Sequence, residues 1–245
     1  MTEPVEPGVK SRKAVSVCLF GNDKKYVEGA TRLSKSVRNN LPGWNIYCFV
    51  GKSVSHQSRT QLENLGVRLI DVYETEDLSA MAWRFRIDRL ESPDWVIFRD
   101  TDSIISKREA EAIETWVESG LAFHVIRDHP FHSVSILGGL WGIRFSESEW
   151  FLGELRKHKF DPRYGADQEF LSSRIYPKAL NSLIVHASFH RHETAGATRK
   201  FRRGSDRFGK FCGESVTSPF LVRLNARLQR LLSSKECKCT EKLES

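Results

Sequence analysis

Several familiar signatures are missing from this 245-residue chain, and each absence argues against a class of protein. No apolar run approaches the length of a bilayer span, and the first residues lack the apolar core of a signal peptide. The five cysteines show no metal-type spacing among Cys18, Cys48 and Cys212, and the pair Cys237 and Cys239 is a weak metal or redox signal. We therefore expect a cytoplasmic protein in which Cys18 and Cys48 are small core residues.

Two nucleotide-binding motifs are also absent. There is no Gly-x-x-x-x-Gly-Lys-Ser/Thr loop, which argues against a P-loop NTPase. There is no Gly-x-Gly-x-x-Gly after the first predicted strand, which argues against a dinucleotide-dependent dehydrogenase. The chain shows no internal repeat, and its apolar and charged fractions, 40% and 28%, are typical of a globular domain.

Positive charge is in excess and lies mostly towards the C-terminus. The formal net charge of +7 favours anionic partners such as nucleotide diphosphates, phosphorylated glycolipids, acidic membranes or nucleic acid. We expect a flexible leader over residues 1–13, a catalytic domain over 14–190 and a basic extension over 191–245. An amphipathic helix near 220–232 would either contact an anionic membrane peripherally or dock on the domain as an ordinary surface helix.

Strands and helices alternate through the first half of the chain. Apolar, β-branched runs predict strands, and helical spacing with Pro or Gly stops predicts helices. The predicted strands are residues 14–20, 44–50, 67–72, 95–99, 121–126 and 183–187, the last strand of the domain. The predicted helices are residues 26–40, 55–65, 79–90, 107–119, 147–157 and a helix led by 164–170. This order predicts an α/β fold: one domain with a Rossmann-like, mostly parallel sheet flanked by helices.

The central predicted strand runs straight into Asp100-Thr101-Asp102. Side chains at i and i+2 of an extended segment point the same way, so Asp100 and Asp102 are able to aim two carboxylates at one point. Oxygen donors at the exit of a buried strand suit Mg²⁺ or Mn²⁺ on a diphosphate. The alternative is a loop that caps the next helix, through Ser103 or through Ser106 with Glu109.

Five ordered blocks carry a resemblance to a known family. They are residues 81–85, 99–103, 124–130, 137–142 and 164–170. The chain resembles GT-A nucleotide-sugar-dependent glycosyltransferases over roughly residues 14–190, and in particular a bacterial and large-virus branch that builds surface polysaccharides. The resemblance implies transfer of a hexosyl or deoxyhexosyl group from a nucleotide-diphosphate sugar to a glycan or lipid-linked acceptor, with Mn²⁺ or Mg²⁺ as cofactor and no nucleic-acid partner.

The resemblance also implies metal-binding residues. Asp102 is expected to ligate the metal directly, and Asp100 to bind it through water or to contact the ribose. The metal would stabilise the departing diphosphate as a Lewis acid. His186 is the candidate third ligand, and its alternative role is an ordinary histidine at the end of a strand.

Donor-binding residues follow from the same resemblance. Phe20, Gly21, Asn22 and Tyr26 would lie under the nucleoside, although Tyr26 also suits the core face of a helix. Arg84 and Arg99 would meet phosphates, although Arg84 also lies one helical turn before Asp88. Gly138, Gly139 and Trp141 would form a floor for the donor sugar, although a tryptophan is more often buried in the core.

Two carboxylates compete for the catalytic base or sugar-contacting role. Asp167 begins a predicted helix near the expected acceptor side, and its alternative role is to favour that helix N-terminus electrostatically. Asp128, beside His129, would hold sugar hydroxyls, and its alternative role is a salt bridge to Arg127 or another neighbour. We favour Asp167.

Two other functional classes remain open at this stage. A nucleotidyltransferase of related fold would carry a glycine-rich loop with Arg or Lys after the first strand to hold a triphosphate, and residues 20–23 do not resemble one. A basic membrane- or nucleic-acid-binding module would explain the net charge and the basic C-terminus, although a solvated face is the usual explanation for such runs.

Overall fold

Two β-α units and a third strand open the domain. The computed structural model describes residues 12–188, 197–201 and 211–215. The first elements are β1 (Lys13–Leu19), α1 (Lys24–Asn40), β2 (Trp44–Gly51), α2 (His56–Asn64) and β3 (Val67–Val72). The three strands pair in parallel, with β2 in the middle. The predicted alternation is therefore confirmed, because helical crossovers return each strand in the same direction.

The segment predicted as a helix over residues 79–90 is instead two 3-10 turns, Leu78–Phe85 and Ile87–Arg89. Side chains at five of the eight positions of the first turn are buried, so this segment has no solvent-facing side of the kind that a surface α-helix presents. The hydroxyl of Ser16 on β1 donates to the Arg84 carbonyl at 2.6 Å. Packing against the sheet thus determines the conformation here, and it turns the Arg84 side chain inwards.

The central strand of the sheet carries the paired aspartates. β4 (Trp95–Arg99) is buried along its whole length and lies parallel to β1. The helix α3 (Lys107–Ser119) begins after it, and the Ser106 side chain accepts the Glu109 N–H at 3.1 Å. Since Ser106 caps this helix, Asp102 and Ser103 are not needed for capping.

The second half of the chain completes a mixed sheet. Its elements are β5 (Phe123–Arg127), β6 (Leu140–Arg144), α4 (Ser148–Lys157), α5 (Ala166–Phe170), a π-helical turn (Leu171–Ile175), α6 (Tyr176–Ala179), β7 (Leu183–Ala187) and β8 (Ala197–Arg199). The strand order is β3-β2-β1-β4-β6-β5-β7-β8, and of these described strands β6 alone runs antiparallel to its neighbours. The predicted mostly parallel α/β sheet is confirmed, but β7 is not its last strand, because β8 pairs with it.

An aromatic cluster supports the sheet beneath the β4 exit. Phe98 on β4 stacks on Trp141 of β6, with ring centroids 4.3 Å apart. Phe85 contacts both rings edge-on, and Phe151 contacts Trp141 edge-on. These rings are almost fully buried. Close-packed aromatic rings leave little room for movement, so the loop that follows β4 starts from a rigid base.

Several sequence predictions fall outside the described residues: the leader up to residue 11, the amphipathic helix at 220–232, and Cys237 with Cys239. The domain boundary at residue 190 stays a prediction. Among the helices of the described ranges, none is both long and apolar enough to cross a membrane.

Candidate active site

A cavity of about 430 Å³ opens where β1 and β4 end. In an open α/β sheet, ligands bind in the crevice at the carboxyl ends of the strands, which loops surround. Its lining residues come from six parts of the chain: Cys18, Leu19, Phe20, Lys25, Tyr26, Leu78, Met81, Arg84, Asp100, Thr101, Asp102, His132, Leu137, Gly138, Leu140, Tyr164, Asp167, Gln168 and Gly213. The cavity therefore brings together seven of the predicted residues: Phe20, Tyr26, Arg84, Asp100, Asp102, Gly138 and Asp167.

Arg84 joins two of the carboxylates. Its Nη1 donates to Asp100 Oδ1 at 2.5 Å and its Nη2 donates to Asp167 Oδ2 at 2.6 Å. Burial acts to lower the pKa of Arg84, but the carboxylates of Asp100 and Asp167 outweigh burial and raise that pKa. Arg84 is thus a fixed cation that sets the spacing of Asp100 and Asp167, and it does not pair with Asp88.

Gly138 and Gly139 let the backbone approach these carboxylates. A Cβ atom on Gly138 would collide with Asp167 Oδ2 and Arg84 Nη2, and one on Gly139 would collide with Asp100 Oδ2. Neither position has room for a side chain unless the ion pairs shift. The role of these glycines as a floor for the donor sugar stays a prediction. The structure gives a different reason for them, which is room for the Asp167 and Asp100 carboxylates beside the backbone.

Asp102 is held by a cation of its own. Lys25 Nζ, from the first turn of α1, lies 2.7 Å from Asp102 Oδ2, and the Asp102 side chain is 16% exposed. The hydrogen bond that Lys25 donates to Asp102 raises the pKa of Lys25. Helix α1 is placed for this contact by its cap, because the Asp23 side chain accepts the Lys25 N–H at 2.8 Å.

Asp128 lies outside the cavity lining, and its hydrogen bonds hold other segments of the chain in place. It is fully buried, and it accepts hydrogen bonds from Arg108 Nε and Nη2, both at 3.0 Å, from Ser188 Oγ and from the Cys212 N–H at 2.9 Å. The alternative role given for Asp128, a salt bridge to a neighbour, is therefore present, with Arg108 as the partner. Through Cys212, Asp128 holds the segment that places Gly213 in the cavity wall.

Arg99 and Trp141 lie beneath the cavity rather than in it. The Arg99 guanidinium is 1% exposed, with Nη1 2.8 Å from the Gly139 carbonyl and 3.0 Å from Glu109 Oε1. Burial raises the pKa of Glu109 to about 7, against the opposing charge of Arg99. Trp141 is buried against Phe98, so the structure places its ring in the core and not on the floor of a sugar site.

The structure does not bring His186 to the aspartates. Its Nδ1 lies 2.8 Å from His124 Nε2 on β5, and its ring contacts Phe201. Burial, with Arg199 and Arg108 nearby, lowers the pKa of His186 to about 4. Within the described ranges no group of three His, Cys, Asp or Glu side chains is placed to hold a metal ion, so a ligand set of Asp100, Asp102 and His186 is not assembled.

The four residues predicted under the nucleoside divide into two groups. Phe20 and Tyr26 line the cavity, and Tyr26 is 40% exposed, so it is not a core residue. Gly21 has a left-handed φ of 75°, and its N–H donates to Ser53 Oγ at 2.8 Å. It shapes the turn after β1, while the exposed Asn22 lies outside the lining.

Sequence reasoning missed several residues of the lining. Lys25 is adjacent to Tyr26, and Gln168 is adjacent to Asp167. The predicted site residues Tyr26 and Asp167 therefore pointed to these two positions. Exposed Tyr164 stands one residue before the glycine that opens α5. Gly213 lies 73 residues after Leu140 in the sequence, and the fold brings it back to the same cavity. No local sequence pattern marks it as a lining residue.

Several solved glycosyltransferases are similar to this chain in structure. The bifunctional glycosyltransferase WbbM, in its apo structure, matches with a TM-score of 0.50 and 13% identity over 92% of this chain and 45% of that chain. A glycosyltransferase involved in glycosylation of the major capsid of PBCV-1 matches with a TM-score of 0.46 and 16% identity over 72% and 82%. The mannosyltransferase PcManGT from Pyrobaculum calidifontis, solved with GDP-Man and Mn²⁺, matches with a TM-score of 0.44 and 14% identity over 66% and 51%.

These similarities concern the fold. The likeness to WbbM shows that the described domain has the GT-A fold, as a mixed, mostly parallel sheet flanked by helices. No family model matches the chain, and no curated protein matches it.

Proposed function

We propose that this protein is a metal-dependent glycosyltransferase that moves a sugar from a nucleotide-diphosphate donor to a glycan or lipid-linked acceptor. One observation carries the proposal: Asp100 and Asp102, directly after the central strand of a GT-A fold, both line the cavity at the carboxyl edge of the sheet. We expect the transferred group to be a hexose or deoxyhexose.

The charge of the cavity supports a requirement for a divalent cation. Among the described lining residues, three carboxylates face two cations, Lys25 and Arg84. A diphosphate would meet a net negative lining in a protein whose overall charge is positive. Mg²⁺ and Mn²⁺ need only one or two protein carboxylates when water and phosphate oxygens complete their coordination. Asp100 and Asp102 fit that donor set without His186.

The strand order supports one orientation of a nucleotide sugar in the cavity. In the sheet, β4 lies between β1 and β6, so the aspartates after β4 are flanked by Phe20 and Tyr26 on the β1 side and by Gly138 and Leu140 on the β6 side. A nucleotide sugar is linear, with the diphosphate between nucleoside and sugar. A diphosphate at the aspartates and a nucleoside against Tyr26 would direct the sugar towards β6. The bound metal would supply Lewis-acid stabilisation of the leaving diphosphate.

Asp167 is the better placed of the two base candidates. It lines the cavity, and only its Oδ2 is engaged by Arg84, which leaves Oδ1 available to a hydroxyl. A catalytic base must lie within hydrogen-bond reach of the proton that it removes. Asp128 is fully buried beneath the wall, so we propose that it supports the site and does not contact sugar.

The proposal is tested by a panel of UDP-, GDP- and dTDP-sugars, with and without Mn²⁺. We expect at least one donor to raise the melting temperature only when Mn²⁺ is present, because ligands of the folded state stabilise it. Release of the nucleoside diphosphate should follow when acceptor glycans are added. Stabilisation by nucleoside triphosphates with release of pyrophosphate would instead indicate a nucleotidyltransferase.

Asp167→Asn and Asp128→Asn should separate catalysis from anchoring. We expect Asp167→Asn to lower turnover by about 100-fold or more, the usual contribution of a general base, while donor binding persists. Asp128→Asn should lower the free energy of unfolding by about 1–3 kcal/mol, because buried hydrogen bonds to Arg108 are weakened, while turnover below the melting temperature stays near normal. Urea unfolding and initial rates measure the two effects. An Asp128→Asn variant of normal stability that lacks activity would contradict this assignment.

Lys25→Met should change metal and nucleotide affinity in opposite directions. In the free protein the Lys25 ammonium competes with a metal for Asp102, so its removal should tighten Mn²⁺ binding without nucleotide by up to about fivefold, the value of a partly exposed ion pair. Binding of a nucleoside diphosphate with Mn²⁺ should weaken, because a displaced Lys25 is available to phosphate. Titration calorimetry measures both affinities. Lys24→Met, at the exposed neighbouring position, is the control, and equal effects in both variants would argue against this role.

A further inference from the structure

His132 lines the cavity but has no role in the proposed mechanism. It lies in the loop between β5 and β6, and its ring packs near His129 and Phe211. Neither its position in the sequence nor the spacing of the carboxylates marks it as part of the site. Its hydrogen bonding, however, gives it a defined chemical character.

The backbone selects one tautomer of the His132 ring. The Asp128 N–H donates to His132 Nδ1 at 3.1 Å, so Nδ1 is an acceptor and carries no proton. The proton of the neutral imidazole is therefore on Nε2. Burial, with His129 nearby, lowers the pKa of His132 to about 3, which agrees with a neutral ring. A nitrogen that carries a proton is not a metal ligand, so His132 does not replace His186 in that role.

Nε2 is left as an unused donor at the cavity. No described residue accepts a hydrogen bond from it, whereas Nδ1 is satisfied by the backbone. The lining of the same cavity also includes Leu137, Leu140 and Gly213, none of which carries charge. In small-molecule sites a few placed hydrogen bonds from polar groups orient the ligand, and an unused donor in the lining is able to make such a bond to a hydroxyl oxygen.

We propose that His132 donates its Nε2–H to an oxygen of the transferred sugar and so takes part in selecting the donor. This inference rests on the proposed function. The direction of the donor supports it, because Leu137 and Leu140 lie on the β6 side of the aspartates, where the sugar is expected. The diphosphate, in contrast, would be held at the β4 exit by charge.

Two substitutions of His132 test the roles of its two ring nitrogens separately. In His132→Asn, the side-chain oxygen is able to accept the Asp128 N–H, but no donor reaches the place of Nε2. In His132→Gln, the longer amide places an N–H donor close to that point. The probe is the sugar nucleotide that stabilises the wild type most in the panel, together with its sugar-free nucleoside diphosphate, each with Mn²⁺. Calorimetry gives the dissociation constants, and thermal unfolding shows whether each variant is folded.

We expect His132→Asn to bind the sugar nucleotide roughly fivefold to tenfold more weakly, the effect of one lost hydrogen bond, and His132→Gln to stay within about twofold of wild type. Both variants should bind the sugar-free diphosphate like wild type. Equal weakening of both ligands by His132→Asn would place His132 at the phosphates and overturn the proposal, as would unchanged binding in both variants. If wild type binds no sugar nucleotide, the proposed function fails, and this inference fails with it.

Discussion

Asp102→Asn is expected to abolish Mn²⁺-dependent donor binding and to lower transfer by at least about 100-fold. A metal ligand that also meets the leaving diphosphate contributes several kcal/mol to transition-state stabilisation, and about 2.7 kcal/mol already corresponds to a hundredfold in rate. Asparagine keeps the size of the side chain but removes the charge that pairs with Lys25. Fold stability should change little, because both side chains of this pair are partly exposed.

Three measurements make this prediction specific. Mn²⁺ binding without nucleotide, donor binding with Mn²⁺, and initial rates should all fall in Asp102→Asn. Asp88→Asn removes an exposed carboxylate that lies outside the cavity, so it should match wild type in each measurement. If Asp102→Asn keeps the metal dependence and the rate of wild type, the assignment of the metal to this aspartate is wrong. Lys25→Met separates loss of the ion pair from loss of the metal ligand.

Arg84→Met is expected to be the most destabilising single change in the site. Arg84 and Asp167 are almost fully buried, so removal of the guanidinium leaves the Asp167 carboxylate without its cation in a medium that solvates it poorly. Breaking a buried pair by removing one partner costs about 3–5 kcal/mol. For a domain of this size, that loss corresponds to a fall in melting temperature of about 10 °C. Urea unfolding followed by circular dichroism measures it.

The matched control is Arg86→Met, two residues further on. Arg86 forms a two-point ion pair with Glu74, but this pair is largely exposed and should contribute no more than about 1 kcal/mol. Arg84→Lys should recover only part of the loss, because one ammonium does not offer the planar pair of N–H groups that joins Asp100 to Asp167. The double change Arg84→Met with Asp167→Asn should be more stable than Arg84→Met alone. Equal losses in Arg84→Met and Arg86→Met would contradict a special role for burial.

The fold was largely predictable, because its signals are local. Short β-branched runs separated by helical spacing specify parallel β-α units, and the order of elements limits the topology. The segment over residues 79–90 was mispredicted because its backbone follows packing against β1 rather than its own propensity. The strand β8 was missed because it is only three residues long and pairs at the edge of the sheet.

The site was predictable only where a motif is contiguous. Asp100 and Asp102 follow a buried strand, and Asp167 opens a short helix, so each has a local signature. Asp128 and Asp167 were both candidates, with Asp167 favoured, but the sequence does not show that Asp128 is enclosed by Arg108, Ser188 and the Cys212 backbone while Asp167 borders the cavity. Burial and partners depend on distant parts of the chain, and a single sequence does not reveal them.

The sequence and the tertiary structure thus determine different features of this protein. The sequence by itself determined the alternation of strands and helices and the position of paired aspartates at the end of the central strand, because periodicity and turn chemistry act over a few residues. Only the tertiary structure decided that Arg84 joins Asp100 to Asp167, that Lys25 holds Asp102, and that Asp128 anchors the wall. These contacts span from 16 to 84 residues of chain, so they depend on how the sheet is ordered and closed.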